Sequence, residues 1–292
     1  MSGSAGQQRV PSDFFAWYQT FIPPLPEQRK IARILSTVDT VIEKTETAIA
    51  KYKAIKQGMM RDLFTRGLDA NRRLRPRYED APQLYKQTEL GWVPREWEVT
   101  LLDSVSTRGS GHTPNKNHPD YWNGGIKWVS LSDTSKLDQL WIHETDKEIS
   151  EQGIANSSAV LHPAGTVIIS RDAGIGKSAI LSEPMAVSQH FMAWKCSNKL
   201  NNIYLYYWLQ QMKPVFENIA IGSTIKTIGL PFFKRLEMYL PTAIEQQSAA
   251  KLLFSMDTVI RKYDMELLKN RKYKQGLMSD LLTGTKRVKV DD

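Results

Sequence analysis

The sequence predicts an α+β protein in which one mixed α/β domain is flanked by two long, matched helices. Three observations carry this. The six residues DTVIEK at 39–44 return as DTVIRK at 257–262, an offset of 218 residues. Around each copy, apolar residues recur at alternating steps of three and four, which is helical spacing. Between the copies lie short apolar runs separated by Gly, Pro, Asn and Asp, the pattern of strands and turns.

The repeat is the first element to justify, because self-similarity at a fixed spacing organises a whole chain. The offset holds without a gap over about residues 12–66 and 230–284. Glu27-Gln28 matches Glu245-Gln246, Leu35 matches Leu253, and Lys56-Gln57-Gly58 matches Lys274-Gln275-Gly276. Further back, Phe14-Phe15 matches Phe232-Phe233 and Pro23 matches Pro241. In the first copy the stripe runs through Leu35, Val38, Ile42, Thr45, Ile49, Tyr52, Lys56, Met59 and Leu63. In the second it runs through Leu253, Met256, Ile260, Tyr263, Leu267, Asn270, Lys274, Leu277 and Leu281. This is a seven-residue repeat with an apolar seam, and it predicts long helices over 26–66 and 243–284 that pair as a coiled coil. Some 35 residues of helix give a rod of roughly 50 Å. Polar residues on the seam, such as Thr45 and Asn270, weaken packing and fix register. The heptads by themselves leave the pair's orientation open. Glu27 and Glu245 fall at equivalent helix starts, where a carboxylate favours the helix dipole; with Gln28 and Gln246 they are also candidates for docking a partner.

The 66–77 stretch, RGLDANRRLRPR, opens a basic linker over 67–87 that reads either as a solvated charge run or as a phosphate contact. The mixed domain follows over 88–242. Its strands are expected at 126–131, 166–170, 178–181 and 191–194, and its one clear helix at 201–220, capped by Asn201 or Asn202 and broken at Pro214. Residues 285–292 form a tail.

The chain has 292 residues and a formal charge of +8. That balance points to a polyanionic partner such as nucleic acid, although a merely basic protein stays open on charge alone. A single cysteine, Cys196, permits no internal disulfide and no multi-cysteine zinc site, as befits a reducing cytoplasm. No run of about 18 apolar residues is present to span a membrane.

Enzymatic chemistry finds little footing. SRDAGIGKS at 170–178 looks like a phosphate loop, but Arg171 stands where such a loop needs its first glycine. The five histidines lack metal-ligand spacing. No glycine-rich turn marks an S-adenosylmethionine or dinucleotide site. We therefore expect no catalytic residue, no metal and no cofactor.

The entry TELGWVPREWEV at 88–99, followed by a mixed domain and then LPTAIEQQSAAKLLFSMDTVIRKY and KQGLMSDLLTG, resembles the specificity subunit of type I restriction-modification enzymes. IPPLPEQRKIARILSTVDTVIEK with KQGMMRDLFTRG resembles the same conserved helix. In that family two target recognition domains alternate with two conserved helices, which pack antiparallel. The resemblance implies a non-catalytic reader of double-stranded DNA that carries methyltransferase (modification) subunits and, through them, a restriction subunit. It makes residues 1–25 a remnant of a preceding recognition domain, so that a homodimer would restore two reading domains. A coiled-coil decoy that occupies modification subunits without reading DNA is the alternative.

Under this resemblance three loops are expected to meet DNA. The 106–125 loop carries Arg108, His112, Asn115 and Lys116. The 170–178 hairpin carries Arg171 and Lys177. The 222–229 loop carries Thr224, Lys226 and Thr227. Lysine and arginine would neutralise phosphates, and side chains on loops would reach base edges. Gln189 and His190, just beyond a strand, are weaker candidates.

Overall fold

The computed structural model describes residues 10–19, 21–89, 91–222 and 226–290. The chain divides into two compact units, one formed by Met1–Ile55 with Asp257–Asp292 and the other by Lys56–Met256. The two long helices span Leu25–Thr65 and Ala243–Leu282, within two residues of the bounds the stripes predict.

In the first unit the helices run antiparallel. Lys274 Nζ lies 2.5 Å from Asp39, Arg271 Nη2 lies 2.6 Å from Glu46, and the Tyr263 ring centre lies 5.3 Å from that of Tyr52. The partner positions descend one helix as they climb the other. Ile49 and Ile260 are buried on the seam, and every other stripe residue of this unit is buried or half-buried. Thr45 is buried too and donates its hydroxyl to the Val41 carbonyl at 2.7 Å. The Asn270 amide nitrogen is buried without a hydrogen-bond acceptor among the described residues. A polar group left so is a cost to stability that specifies how two seams align.

The start of the first helix is closed by the segment after the second. Glu27 is 3% exposed and accepts hydrogen bonds from Arg287 Nε and Nη2 and from the Val288 N–H. The Arg287 hydrogen bonds hold the Glu27 carboxyl below the usual carboxylate range, against the opposing effect of burial.

In the second unit, Ser106–Ser110, Phe191–Cys196, Val167–Ser170, Ser178–Leu181 and Trp141–Ile142 form a five-stranded sheet in that order. A four-stranded sheet follows the order Lys147–Ile149, Trp122–Val129, Met185–Val187, Leu161–His162. The period of two sorts the central strands between two cores. Val167, Ile169, Ile180, Met192 and Trp194 pack with the Asn202–Gln211 helix. The alternate residues Ile168, Ala179, Leu181 and Ala193 pack with Val129, Met185 and Val187. Burial on both faces is why these strands read as continuous apolar runs. Asn201 caps the Asn202–Gln211 helix, its side-chain oxygen accepting from Tyr204 N–H at 2.9 Å. Pro214 takes the second position of a new helix, Lys213–Ile219, so the break falls where the proline dictates.

The long helices contribute to this core directly. Met60, Leu63 and Phe64 from the end of the first, and Ala249, Ala250 and Leu253 from the start of the second, belong to the same cluster as Trp194 and Tyr204. In the arginine-rich stretch after the first helix, Arg72, Arg73 and Arg77 are exposed to solvent and Arg75 is not. Arg75 is 6% exposed and bonds Glu245 at 2.6 Å and Glu96 at 2.8 Å. Glu245, itself buried, also accepts from the Leu68 N–H at 2.7 Å and the Trp97 indole at 3.2 Å. Burial works most strongly against the Arg75 charge, and the hydrogen bonds and negative charges of Glu245 and Glu96 together outweigh it, so Arg75 holds its proton more tightly than a free arginine.

Two outcomes are expected. Arg75→Ala leaves the Glu245 charge buried without its main partner and should destabilise the protein by about 3 kcal/mol in urea denaturation; a loss within experimental error of zero would contradict the ion pair. Glu27 titrates lower in the folded than in the unfolded chain. Its pairing therefore stabilises fully above the unfolded carboxylate pKa and is lost as pH falls through the folded value. Glu27→Gln should lower the denaturation midpoint at neutral pH, with the gap to wild type closing as the medium becomes acidic; a gap independent of pH would contradict it.

Candidate nucleic-acid interface

The site is set by strand register. In the five-stranded sheet, Ser110 pairs with Met192 and Phe191 pairs with Ser170. The Ser106–Ser110 and Val167–Ser170 strands thus end where the Phe191–Cys196 strand begins. Residues 111, 171 and 190 leave the sheet at one edge. The fourth segment is drawn in by the backbone, since Ile228 N–H donates to the Arg171 carbonyl at 2.9 Å and Arg171 N–H donates to the His190 carbonyl at 3.0 Å.

Side chains then tie the loops together through Asp172. One carboxylate oxygen accepts from the Thr227 hydroxyl, and the other meets His190 Nδ1. His190 Nε2 lies 3.2 Å from Gln189 Nε2, and Gln189 Oε1 accepts from the Thr113 hydroxyl at 2.7 Å. Four segments far apart in sequence therefore share one hydrogen-bonded chain.

Close backbone approach shapes the 106–125 loop. A Cβ on Gly111 would fall 1.6 Å from the Val187 carbonyl oxygen, and one on Gly109 would fall 2.7 Å from the His162 ring. Only glycine fits at either position. His162 is buried beneath, its Nε2 3.3 Å from the Ser110 carbonyl; burial pushes its pKa down, and it serves as a neutral spacer. The Cys196 thiol is pushed up to about 12 by burial, which leaves it inert at neutral pH.

The candidate residues separate into two groups. His112, Asn115, Lys116 and Lys226 are exposed on the loops. Asn115 also orders its own turn, its Oδ1 accepting from the Asn117 N–H at 3.0 Å. The Arg171 Nε is 3.8 Å from Asp172, beyond hydrogen-bond reach, and has no hydrogen-bond partner among the described residues. Thr227 is committed to Asp172. Arg108 and Lys177 turn to internal work instead. Arg108 pairs with Asp103 at 3.0 Å, and Lys177 Nζ donates to the Thr134 carbonyl at 3.2 Å. Thr224 lies outside the described residues. Sequence reasoning missed Asp172 and Thr113, because neither carries a signal until the strands are in register.

Three of the four helix-start residues, Glu27, Glu245 and Gln246, are likewise turned inward. Glu27 and Glu245 are buried in their ion pairs. Gln246 is 1% exposed and bonds the carbonyls of Lys199 and Pro241 and the Asn201 N–H. Gln28 alone is exposed, donating to the Pro23 carbonyl at 2.8 Å.

A domain whose five-stranded and four-stranded sheets pack with a helical core, with polar loops gathered at one end of the strands, is a scaffold on which loops can carry recognition. Residues 94–269 match the type I restriction modification DNA specificity domain, and the chain belongs to that family. It is 28% identical over 279 residues to the type I restriction enzyme MjaVIII specificity subunit of Methanocaldococcus jannaschii, covering 92% of this chain and 62% of that protein. It is 27% identical over 198 residues to the MjaIX specificity subunit of the same organism, covering 64% of this chain and 46% of the relative. The chain thus spans between 46% and 62% of the length of these two relatives. The HsdS subunit from Thermoanaerobacter tengcongensis shares its fold, with a TM-score of 0.54 at 15% identity, covering 97% of this chain and 65% of that one.

Proposed function

We propose that this protein is a DNA-recognition subunit of a type I restriction-modification system, which reads duplex DNA and positions separate methyltransferase subunits that carry out the chemistry. The observation that carries this reading is the gathering of residues 111–113, 171–172, 189–190 and 227–228 at one end of the five-stranded sheet, in a domain of the specificity family. The exposed Lys116 and Lys226 supply phosphate contacts, which provide most of the affinity and its salt dependence. Asn115 and Gln189 supply amides suited to base edges. Two copies would present two such domains about a two-fold axis, and a two-fold reader selects an inverted repeat.

The test is a fluorescence-anisotropy titration of the full chain, alone and with a type I methyltransferase subunit, against duplex DNA over a range of salt concentrations. Lys116→Ala combined with Lys226→Ala should weaken binding to all sequences alike and reduce the slope of log affinity against log salt by about 2. Saturable duplex binding absent from both forms of the wild type would overturn the proposed function. An unchanged slope in the double variant would overturn the phosphate assignment.

A further inference from the structure

We propose that Gln189 is a base-reading side chain that selects an adenine, and that His190 and Thr113 are positioning residues which fix the face its amide presents. This rests on the DNA-reading function above and names one of its determinants.

The argument follows the protons. Gln189 Nε2 is 3.2 Å from His190 Nε2, and an amide NH2 only donates, so that histidine nitrogen accepts. The imidazole proton then sits on Nδ1 and is donated to Asp172, whose second oxygen accepts from Thr227. A carboxylate that only accepts anchors the direction of the whole chain. At the other end, the Thr113 hydroxyl donates to Gln189 Oε1 at 2.7 Å. Each half of the amide is thus engaged once, which fixes which end is oxygen and which is nitrogen. An amide carries two donor hydrogens and two acceptor sites, so one of each remains.

Gln189 is exposed, while His190 is half-buried and Asp172 has a side chain only 14% exposed. The free donor and acceptor therefore stand on a side chain at the surface, braced from beneath. One donor beside one acceptor is complementary to the N6 and N7 edge of adenine in the major groove. An unbraced glutamine would rotate its amide and accept either polarity; the brace is what turns it into a discriminating group. The charged groups facing this cluster are Asp172 and the neighbouring Arg171. Ser188, just before Gln189, is tied to the four-stranded sheet through its N–H, which donates to the Val129 carbonyl at 2.8 Å, so the turn itself is anchored.

The experiment is selection of a randomised duplex pool by the full chain, in whichever form binds DNA in the titration, followed by sequencing. Wild type is expected to enrich a motif containing an adenine that Gln189→Ala renders degenerate at that one position, with discrimination there falling by roughly tenfold or more. Gln189→Glu replaces the donor with an acceptor and should move the preference at the same position toward cytosine, whose exocyclic amine donates. His190→Phe keeps a ring but removes the acceptor. It should blur the same position while leaving the salt slope and the preferences at the other positions of the motif unchanged, which a general loss of loop structure would not do. An identical motif in Gln189→Ala and Gln189→Glu would overturn the assignment. Retained discrimination in His190→Phe would overturn the brace. A wild-type chain that binds duplex yet enriches no motif would remove sequence reading itself, and this inference with it.

Discussion

A buried carboxylate at the start of each long helix is the constraint on which this architecture depends. Taking an ion out of water costs several kcal/mol unless partners replace the lost hydration. Glu245 finds them in Arg75, the Leu68 N–H and the Trp97 indole; Glu27 finds them in Arg287 and the Val288 N–H. In both cases the arginine and the amide come from the segment just beyond the other helix's end. Each helix start therefore has to lie beside the other helix's finish, which is an antiparallel arrangement. The repeat thus carries its own rule of assembly: every copy brings one buried acid and, past its helix, the base that neutralises the other.

The same rule is written along the rods. An in-register parallel pair would set each seam residue beside its own repeat and hold Asp39 and Glu46 level with Asp257 and Asp264, far along the rod from Lys274 and Arg271. Reversing one helix matches Asp39 with Lys274 and Glu46 with Arg271. The exposed pairs are individually worth less than about 1 kcal/mol. Their value is that the parallel orientation would break both of them.

Much of this could be read from the sequence, and what could not has a physical cause. The repeat, the seam, the Asn201 cap and the Pro214 break are local patterns, and local patterns survive in one dimension. The orientation is hidden from the heptad pattern, which records only apolar positions. Arg75 was concealed by its neighbours: in RGLDANRRLRPR five arginines look alike, and only folding shows which one meets Glu245. The candidate site was half legible. Loop composition marked segments that the fold brings together, whereas the contacts of Asp172, Thr113 and Gln189 depend on strand register that joins residues 113, 172, 190 and 227. Register also decided against Arg108 and Lys177, whose charges serve Asp103 and the Thr134 carbonyl.

The equivalence of Phe14-Phe15 with Phe232-Phe233 shows where a repeat stops determining structure. Phe233 is fully buried, its ring 5.8 Å from Trp194 and 6.5 Å from Phe216, whereas Phe15 is 73% exposed. The residues are the same, and the difference lies in Trp194 and Phe216, which belong to the mixed domain and have no counterpart in the repeat. The copied part is therefore the frame, and the domain supplies its own pocket for it. This division bears on how specificity can change. Substitution at Gln189 or Lys226 alters exposed groups on loops and leaves the buried Val167–Ser170 and Phe191–Cys196 strands untouched. Substitution at Glu245 or Gly111 strikes an ion pair or a backbone contact that holds the loops in place. A chain built this way can acquire a new reading surface at little cost to stability, provided the frame beneath it stays fixed.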